Sequence, residues 1–324
     1  MQSPRAIITT MTRKTLTLKV KRDKVIKPVK KIVKEVAQDD PLKSFSNGVA
    51  INPFESINLE LGSDQFSARA IDLLTPIGMG QRGLIVAPPG SGKSTILKHI
   101  CQAVGKAYPD IKLYALLIDE RPEEVTDFKR SVPAEVHASS SDESYANHMR
   151  VADKLLDKAR KEAGEGHDVM IVIDSLTRLA RVHNAGGKSS GRTMSGGVDA
   201  RAMEIPRKLF GAARKIENGG SLTILATILV DTGSRMDQVI FEEFKGTGNM
   251  EIVLSRDIAN QRIFPALDIA KSSTRREELL LNAKDIKNIT ALRRELISHE
   301  PEEGVKELVK LLETYPTNAE LLNR

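Results

Sequence analysis

The chain has 324 residues, 40% of them apolar, with 49 Lys and Arg against 43 Asp and Glu. This is ample material for a buried core in one or more domains. A single cysteine, Cys101, excludes a disulfide framework and a cysteine-based zinc site, and points to a reducing compartment. No stretch approaches the roughly 18 apolar residues of a membrane span, and the N-terminus has no continuous hydrophobic signal core. The expected setting is cytoplasmic, without a membrane partner.

Charge is unevenly placed. Residues 1–36 hold eleven Lys and Arg against two acidic residues, +9 of an overall +6, which leaves residues 37–324 at about −3. Steps such as Lys27-Pro28-Val29-Lys30-Lys31 suit either a solvated, disordered tail or an arm that binds phosphate backbones without reading sequence. The alternation at Leu16-Thr17-Leu18-Lys19-Val20 allows a short strand on binding. Residues 37–62, with Pro41, Gly48, Pro53 and Gly62, read as a connector.

From Ser67 onward the pattern is that of one α/β domain. Strands are expected at 83–86, 112–118, 169–173, 222–229 and 249–254, with helical patterns between them, notably at 145–162 and 200–216. Nearly continuous apolar strands alternating with helices predict a mainly parallel sheet with helices on both faces. Residues 276–324 read as a helical tail, with Gly304 and Pro316 as breakers.

The first strand leads into Ala87-Pro88-Pro89-Gly90-Ser91-Gly92-Lys93-Ser94-Thr95, followed by an amphipathic segment over 96–104. A strand, a glycine turn and a helix start in this order form the context of a phosphate-binding loop. Lys93 then supplies charge between the β- and γ-phosphates, and the Ser94 hydroxyl ligates Mg2+. The usual first glycine of the pattern is Ala87, so the motif departs by one residue. The bland alternative is a glycine turn before a helix. The motif implies that the chain binds a nucleoside triphosphate.

Two further strands end in acids. The strand over 169–173 ends in Asp174, suited to orient Mg2+ or its water shell. The strand over 112–118 leads into Asp119-Glu120-Arg121, where Glu120 is placed to activate a water. Each is otherwise a solvated strand-end carboxylate. Two glycine-rich basic stretches follow: residues 184–197, with Lys188 and Arg192, and residues 244–249, with Lys245 and Gly246. Each reads either as an ordinary surface loop or as a loop that clamps a nucleic-acid backbone.

The segments at 116–130, 173–184, 195–224, 230–256 and 262–281 resemble the bacterial transcription termination factor Rho, a likeness over about residues 64–300. The resemblance implies a RecA-like P-loop NTPase core over 63–275, a helical extension over 276–324, and a homo-oligomeric, hexameric ring. Such a ring hydrolyses ATP between subunits and pulls single-stranded RNA through its centre. The family's phosphate loop also begins with alanine and two prolines, so Ala87 fits it.

By the same resemblance, Lys93 and Ser94 are the phosphate-loop pair and Asp174 is the Walker B carboxylate. Glu120 activates water with Arg121 beside it. Arg275 is an arginine finger for a neighbour's ATP, with Arg262 near the same boundary. Phe264 stacks on adenine, and Arg178 joins the nucleotide-binding set. The loops with Lys188 and Arg192, and with Lys245 and Gly246, become the two RNA-contacting loops.

Gly90 and Thr95 stand where this family has lysine and methionine, changes expected to weaken nucleotide binding modestly. The family also carries an RNA-capture domain ahead of the core. The roughly 60 residues before the match show no aromatic-rich barrel, so capture is expected from the basic tail or a loading partner, RNA polymerase among the candidates. The function implied is an RNA-dependent ATPase and translocase. The alternatives are a non-processive ATP-binding ring component and a rotary-ATPase-like subunit.

Overall fold

The structure, a computed structural model, describes residues 40–186 and 195–324. The tail over 1–36, Lys188 and Arg192 lie outside the described residues. In chain order the strands are β1 (Ala50–Ile51), β2 (Ser56–Ile57), β3 (Ile77–Gly78), β4 (Arg82–Ala87), β5 (Lys112–Glu120), β6 (Glu135–Ser140), β7 (Asp168–Asp174), β8 (Arg214–Ile216), β9 (Ser221–Leu229), β10 (Met250–Val253) and β11 (Ser273–Thr274). The helices are α1 (Pro41–Asn47), α2 (Phe66–Leu74), α3 (Lys93–Ala107), α4 (Pro122–Ser131), α5 (Tyr145–Gly164), α6 (Leu176–Gly186), α7 (Glu204–Phe210), α8 (Arg235–Phe244), α9 (Arg256–Asn260), α10 (Ala283–Ile297), α11 (Pro301–Thr314) and α12 (Asn318–Leu322).

The main sheet runs in the order β11-β10-β4-β9-β7-β5-β6. From β10 to β6 every neighbouring pair is parallel, and β11 closes one edge antiparallel to β10. Alternate side chains of the central strands enter two separate cores. Ile85, Met170, Val172 and Leu225 join one with α2, α3, α10 and α11, whereas Leu84, Ile171, Ile173 and Ile224 join the other with α5, α6 and α8. A strand buried on both faces favours apolar residues at every position, which explains the runs over 84–87 in β4 and 169–173 in β7, and the largely apolar β9, whose Thr223 and Thr227 are hydrogen-bonded. Parallel direction then brings the carboxyl ends of β4, β5, β7 and β9 to one edge of the sheet.

Three elements depart from the sequence expectation. The pattern at 200–216 is not one helix: a short 3-10 turn and α7 end at Phe210, and β8 follows as the antiparallel partner of β9. Pro206 and Gly211 interrupt the run, and the turn through Asn218 (φ 54°) and Gly219 folds β8 back on β9. Strand β6 escapes the apolar search because it is the sheet edge and its sequence, EVHASS, is mostly polar. Gly304 does not break a helix; it lies inside α11, where a side chain would meet the Leu296 carbonyl at 2.5 Å. It permits close packing of α11 on α10. Pro316 does follow the end of α11.

Residues 40–62 and the C-terminal helices are built into this body. Phe45, Ile57 and Leu59 are buried, and β1 pairs with β8. Arg69, itself buried, donates to the carbonyls of Leu312 at 2.7 Å and Tyr315 at 2.8 Å, and to Asn318 Oδ1 at 3.2 Å. Its Nε also lies 3.2 Å from Glu60 Oε1. One guanidinium thus satisfies the exposed carbonyls at the end of α11, which no intrahelical donor can reach. Arg69→Leu leaves those carbonyls without a donor in a buried setting and removes the cation beside Glu60, and a loss of about 3 kcal/mol is expected. Urea unfolding measures it, and hydrogen exchange should show α11 and α12 loosening first. Unfolding indistinguishable from that of the parent would refute the role.

Candidate nucleotide site

The phosphate loop leaves β4 at Ala87 and enters α3 at Lys93. Ser91 Oγ donates to the Pro88 carbonyl at 2.7 Å and pins the turn. Gly90 (φ 75°) and Gly92 (φ 97°) both occupy left-handed backbone that other residues adopt only with strain. The loop therefore presents the first N–H groups of α3, a 15-residue helix, toward the sheet edge.

At that edge the expected residues converge. Lys93 Nζ reaches both Asp174 carboxylate oxygens, at 2.7 and 2.8 Å, and lies 3.5 Å from Glu120 Oε1. Ser94 Oγ donates to Asp174 Oδ2 at 2.9 Å, and Thr227 Oγ1 to Asp174 Oδ1 at 2.9 Å. Arg178 Nε stands 3.0 Å from Glu120 Oε1. Glu120 and Asp174 are both buried. Burial, reinforced by the Asp174 charge and opposed by Lys93 and Arg178, pushes the Glu120 carboxyl up to about 7. A carboxylate poised there suits a general base.

Two spaces flank the loop. One, of about 620 Å³, is lined by Lys93, Ser94, Arg121, Arg178, Arg181 and Thr232 among others. The other, of about 450 Å³, is lined by Ser67, Ile96, His99, Phe264 and Pro265 among others. Gly92 and Thr95 border both. Four cations, Lys93, Arg121, Arg178 and Arg181, line the first against Glu124, and the second is largely apolar, so together they match a polyphosphate and a base joined across the helix start. Phe264 and Thr95 thus line one cavity. His99 and Ser67, bonded Nδ1 to Oγ at 2.6 Å, belong to the same wall and carry no motif that marks them in the sequence.

Ser94 and Asp174 fit a magnesium site. The Ser94 hydroxyl, which lines the phosphate space, lies 2.9 Å from Asp174 Oδ2, and these are the few hard oxygen donors that Mg2+ takes when phosphates complete its shell. Among the described residues no group of three or more His, Cys, Asp or Glu could form an all-protein metal cage.

Arg275 and Arg262 do not join this cluster. Arg275 N donates to the Asn249 carbonyl, and Asn249 N to that of Arg82, the first residue of β4. Arg275 therefore sits at the amino end of the strand whose carboxyl end carries the phosphate loop, about 17 Å away at the usual rise of an extended chain. Arg82 lies near Arg214 and Arg275, and burial together with these two charges pulls its guanidinium below the ordinary value. Its Nε is buried without a hydrogen-bond partner among the described residues. Arg262 is exposed, in a left-handed turn after α9.

Two RNA-contacting loops are expected, and residues 187–194 of the first lie outside the described residues. Lys245 and Gly246 follow the C-terminal end of α8, beside Arg275: a side chain at Gly246 would stand 3.8 Å from Arg275 Nη2. The described end of the first loop, Ser195–Gly197, lies at the other end of that helix, where a side chain at Gly196 would meet the Arg235 carbonyl at 2.8 Å. The length of α8, ten residues or about 15 Å, separates the two places. Arg235 and the tight turn through Asp231 (φ 54°) and Gly233 (φ 75°) lie beside the described end of the first loop. Asp231-Thr232-Gly233-Ser234 is itself a turn signal, overlooked because only one glycine marks it.

That turn is tied to the nucleotide cleft. Thr232 Oγ1 donates to Asp237 Oδ2 at 2.6 Å, and Arg181 holds Asp237 through two hydrogen bonds, Nε to Oδ1 at 2.8 Å and Nη2 to Oδ2. Arg181 and Thr232 both line the phosphate space.

Comparison with known proteins places these features in a family. Residues 67–274 match the ATP synthase alpha/beta family, nucleotide-binding domain. The chain is 49% identical to transcription termination factor Rho of Rhodopirellula baltica over 86% of its own length and 55% of that protein. For the Rho of Streptobacillus moniliformis the figures are 52%, 82% and 64%, and for that of Haemophilus influenzae 48%, 89% and 70%. The chain thus spans little more than half to two thirds of the first two. Among solved structures, a prototypical ATPase from the type III secretion system of pathogenic bacteria superposes with a TM-score of 0.70 at 26% identity, over 85% of each chain. The assembled ATPase EscN of enteropathogenic E. coli gives 0.65 at 26% identity, over 83% of this chain and 68% of that one. With its RecA-like P-loop fold, its phosphate loop and its paired acids at one sheet edge, the chain belongs to the transcription termination factor Rho family.

Proposed function

We propose that this chain is the ATP-hydrolysing subunit of a head-to-tail ring that moves single-stranded RNA, in transcription termination or in remodelling of RNA–protein complexes. The observation that carries the reading is the division of one catalytic set between the two ends of the sheet. Lys93, Ser94, Asp174 and Glu120 form a hydrolytic centre at the carboxyl end, while Arg275 waits at the amino end. A cation so placed serves a site only on a neighbouring copy. The structural likeness to an assembled ATPase supports a ring, for which a hexamer is the family expectation. A cytoplasmic location and a loading partner such as RNA polymerase go with this reading.

In the mechanism, Lys93 leaves Asp174 for the β- and γ-phosphates when ATP enters. Ser94 and Asp174 would hold magnesium, which when bound neutralises charge on the phosphates. Glu120 takes the proton of the attacking water, and Arg178 fixes its carboxylate. The neighbour's Arg275 stabilises charge on the transferring phosphoryl group. Arg121, exposed at the mouth of the phosphate space, adds positive field there. Arg181, Asp237 and Thr232 connect this chemistry to the 231–235 turn, so that Arg235 and the 184–197 loop change their hold on RNA as the nucleotide changes.

Lys93→Ala is expected to abolish turnover and weaken ATP binding. Glu120→Gln is expected to retain ATP binding and lose about 10²- to 10⁴-fold in turnover. Because Glu120 acts ionised and its carboxyl sits at about 7, the rate should climb as pH rises through that value. Steady-state rates between about pH 5 and 9 test this, and a flat profile in the parent would remove Glu120 as the base.

Arg275→Ala should be inactive alone. Mixed with Lys93→Ala chains it should regain part of the activity, because some boundaries then join an intact loop to an intact finger. Co-assembly without any recovery counts against the split site.

Arg235→Ala should lower RNA-stimulated turnover while sparing ATP affinity, as should Arg192→Ala. Stimulation curves with a homopolymeric RNA measure this, and unchanged curves for the double variant would disprove the RNA-facing assignment.

A further inference from the structure

We infer that Arg256 is a phosphate-binding residue of the nucleotide site, supplied from the strand beside the phosphate loop. The inference rests on the nucleotide reading above and assigns a residue that no motif marks. Strand β10 runs parallel to β4 with Val253 level with Val86. Two chains that leave adjacent parallel strands in register emerge side by side, so Arg256, three residues on, comes out beside Pro89 and Gly90. Its backbone is held there. Leu254 N donates to the Val86 carbonyl and Ser255 N to that of Ala266, both at 2.8 Å, and the Ser255 hydroxyl caps α9 by accepting from Ile258 N.

The side chain then lies over the loop. Arg256 Nη1 donates to the Pro89 carbonyl at 2.8 Å. The guanidinium occupies the room that a side chain at Gly90 would need: a Cβ there would stand 1.7 Å from Nη1 and 2.9 Å from Cζ. Glycine at position 90 and arginine at position 256 are therefore complementary, and the loop does not lack a cation at its crest.

Several features point to an anion as the intended partner. Arg256 is exposed, and among the described residues it donates to a neutral carbonyl, that of Pro89, which leaves most of its five donors for other acceptors. Among the described residues it has no carboxylate within ion-pair distance. The crest of a phosphate loop borders the outer phosphates, since its backbone N–H groups wrap the chain ahead of the lysine. A guanidinium there matches two phosphate oxygens at once, which an ammonium does not. The ligand class is the β- and γ-phosphate end of a nucleoside triphosphate. Gly90 thus need not weaken nucleotide binding, contrary to the sequence expectation, because Arg256 stands in its place.

Titration of the full chain with ATP, ADP and AMP in the presence of Mg2+ tests this, using Arg256→Ala, Arg256→Lys and, as reference, Lys93→Ala. Arg256→Ala should weaken ATP by about tenfold or more, the worth of one charge-assisted contact. ADP should weaken less and AMP not at all, and Arg256→Lys should restore part of the loss. Unchanged ATP affinity in Arg256→Ala, with Lys93→Ala weakened, overturns the proposal alone. Equal weakening of ATP and AMP also overturns it, because a packing defect does not distinguish phosphates. Unchanged ATP affinity in Lys93→Ala overturns the nucleotide reading and this proposal with it.

Discussion

The contact between Lys93 and Asp174 is the constraint on which the rest of the site depends. It joins a helix start after β4 to the end of β7, with β9 between them contributing Thr227. Burying two opposite charges costs desolvation that their attraction offsets only when the geometry is close and the remaining lone pairs are satisfied. Here Ser94 and Thr227 complete the carboxylate, and Lys93 lies across both of its oxygens. The same concentration of charge acts on Glu120, which is buried beside Asp174 and keeps its proton to higher pH than an exposed glutamate. A pair of this kind is ready to exchange partners. A polyphosphate can take the lysine, and a cation the carboxylate, without leaving either charge unpaired.

Sheet polarity does the rest. In a parallel sheet the two edges are chemically different, because one collects the strand ends with their loops and helix starts. The phosphate loop, Glu120, Asp174 and the end of β9 share the first edge, and Arg275, Arg82 and the 244–249 turn share the second. Joining the first edge of one copy to the second edge of the next is a heterologous contact, which yields a closed ring when the rotation closes. The cluster of Arg82, Arg214 and Arg275, mutually repelling within the protomer, gives that contact an electrostatic motive: an anion presented by the neighbour relieves it.

Strand neighbours also explain features that look unrelated along the chain. Gly90 and Arg256 are 166 residues apart in sequence, yet β4 and β10 lie side by side and deliver them to one spot. The links from Arg181 through Asp237 to Thr232 and the 231–235 turn follow from the packing of α6 and α8 on the same face. Each is a short chain of hydrogen bonds between rigid elements, the kind of connection through which a local change at a phosphate reaches a loop.

Much of this was legible in the sequence because the signal was local. A strand, two prolines, two glycines and Lys93-Ser94 specify a phosphate loop within a dozen residues. Apolar runs ending in Asp174 and Glu120 specify carboxylates at strand ends. Residue identity along one segment suffices where the backbone carries each side chain to its place without help from elsewhere. The edge strand β6, the return at β8 and the place of Gly304 were not legible, because polar edge residues, a hairpin partner and a close helix crossing acquire meaning only beside their neighbours. The tertiary structure alone decided which residues share a site: Arg235 beside the described end of the first loop, and Arg256 over Gly90. Spatial order in a sheet is not sequence order, and a cation's role depends on which anion the fold sets within its reach.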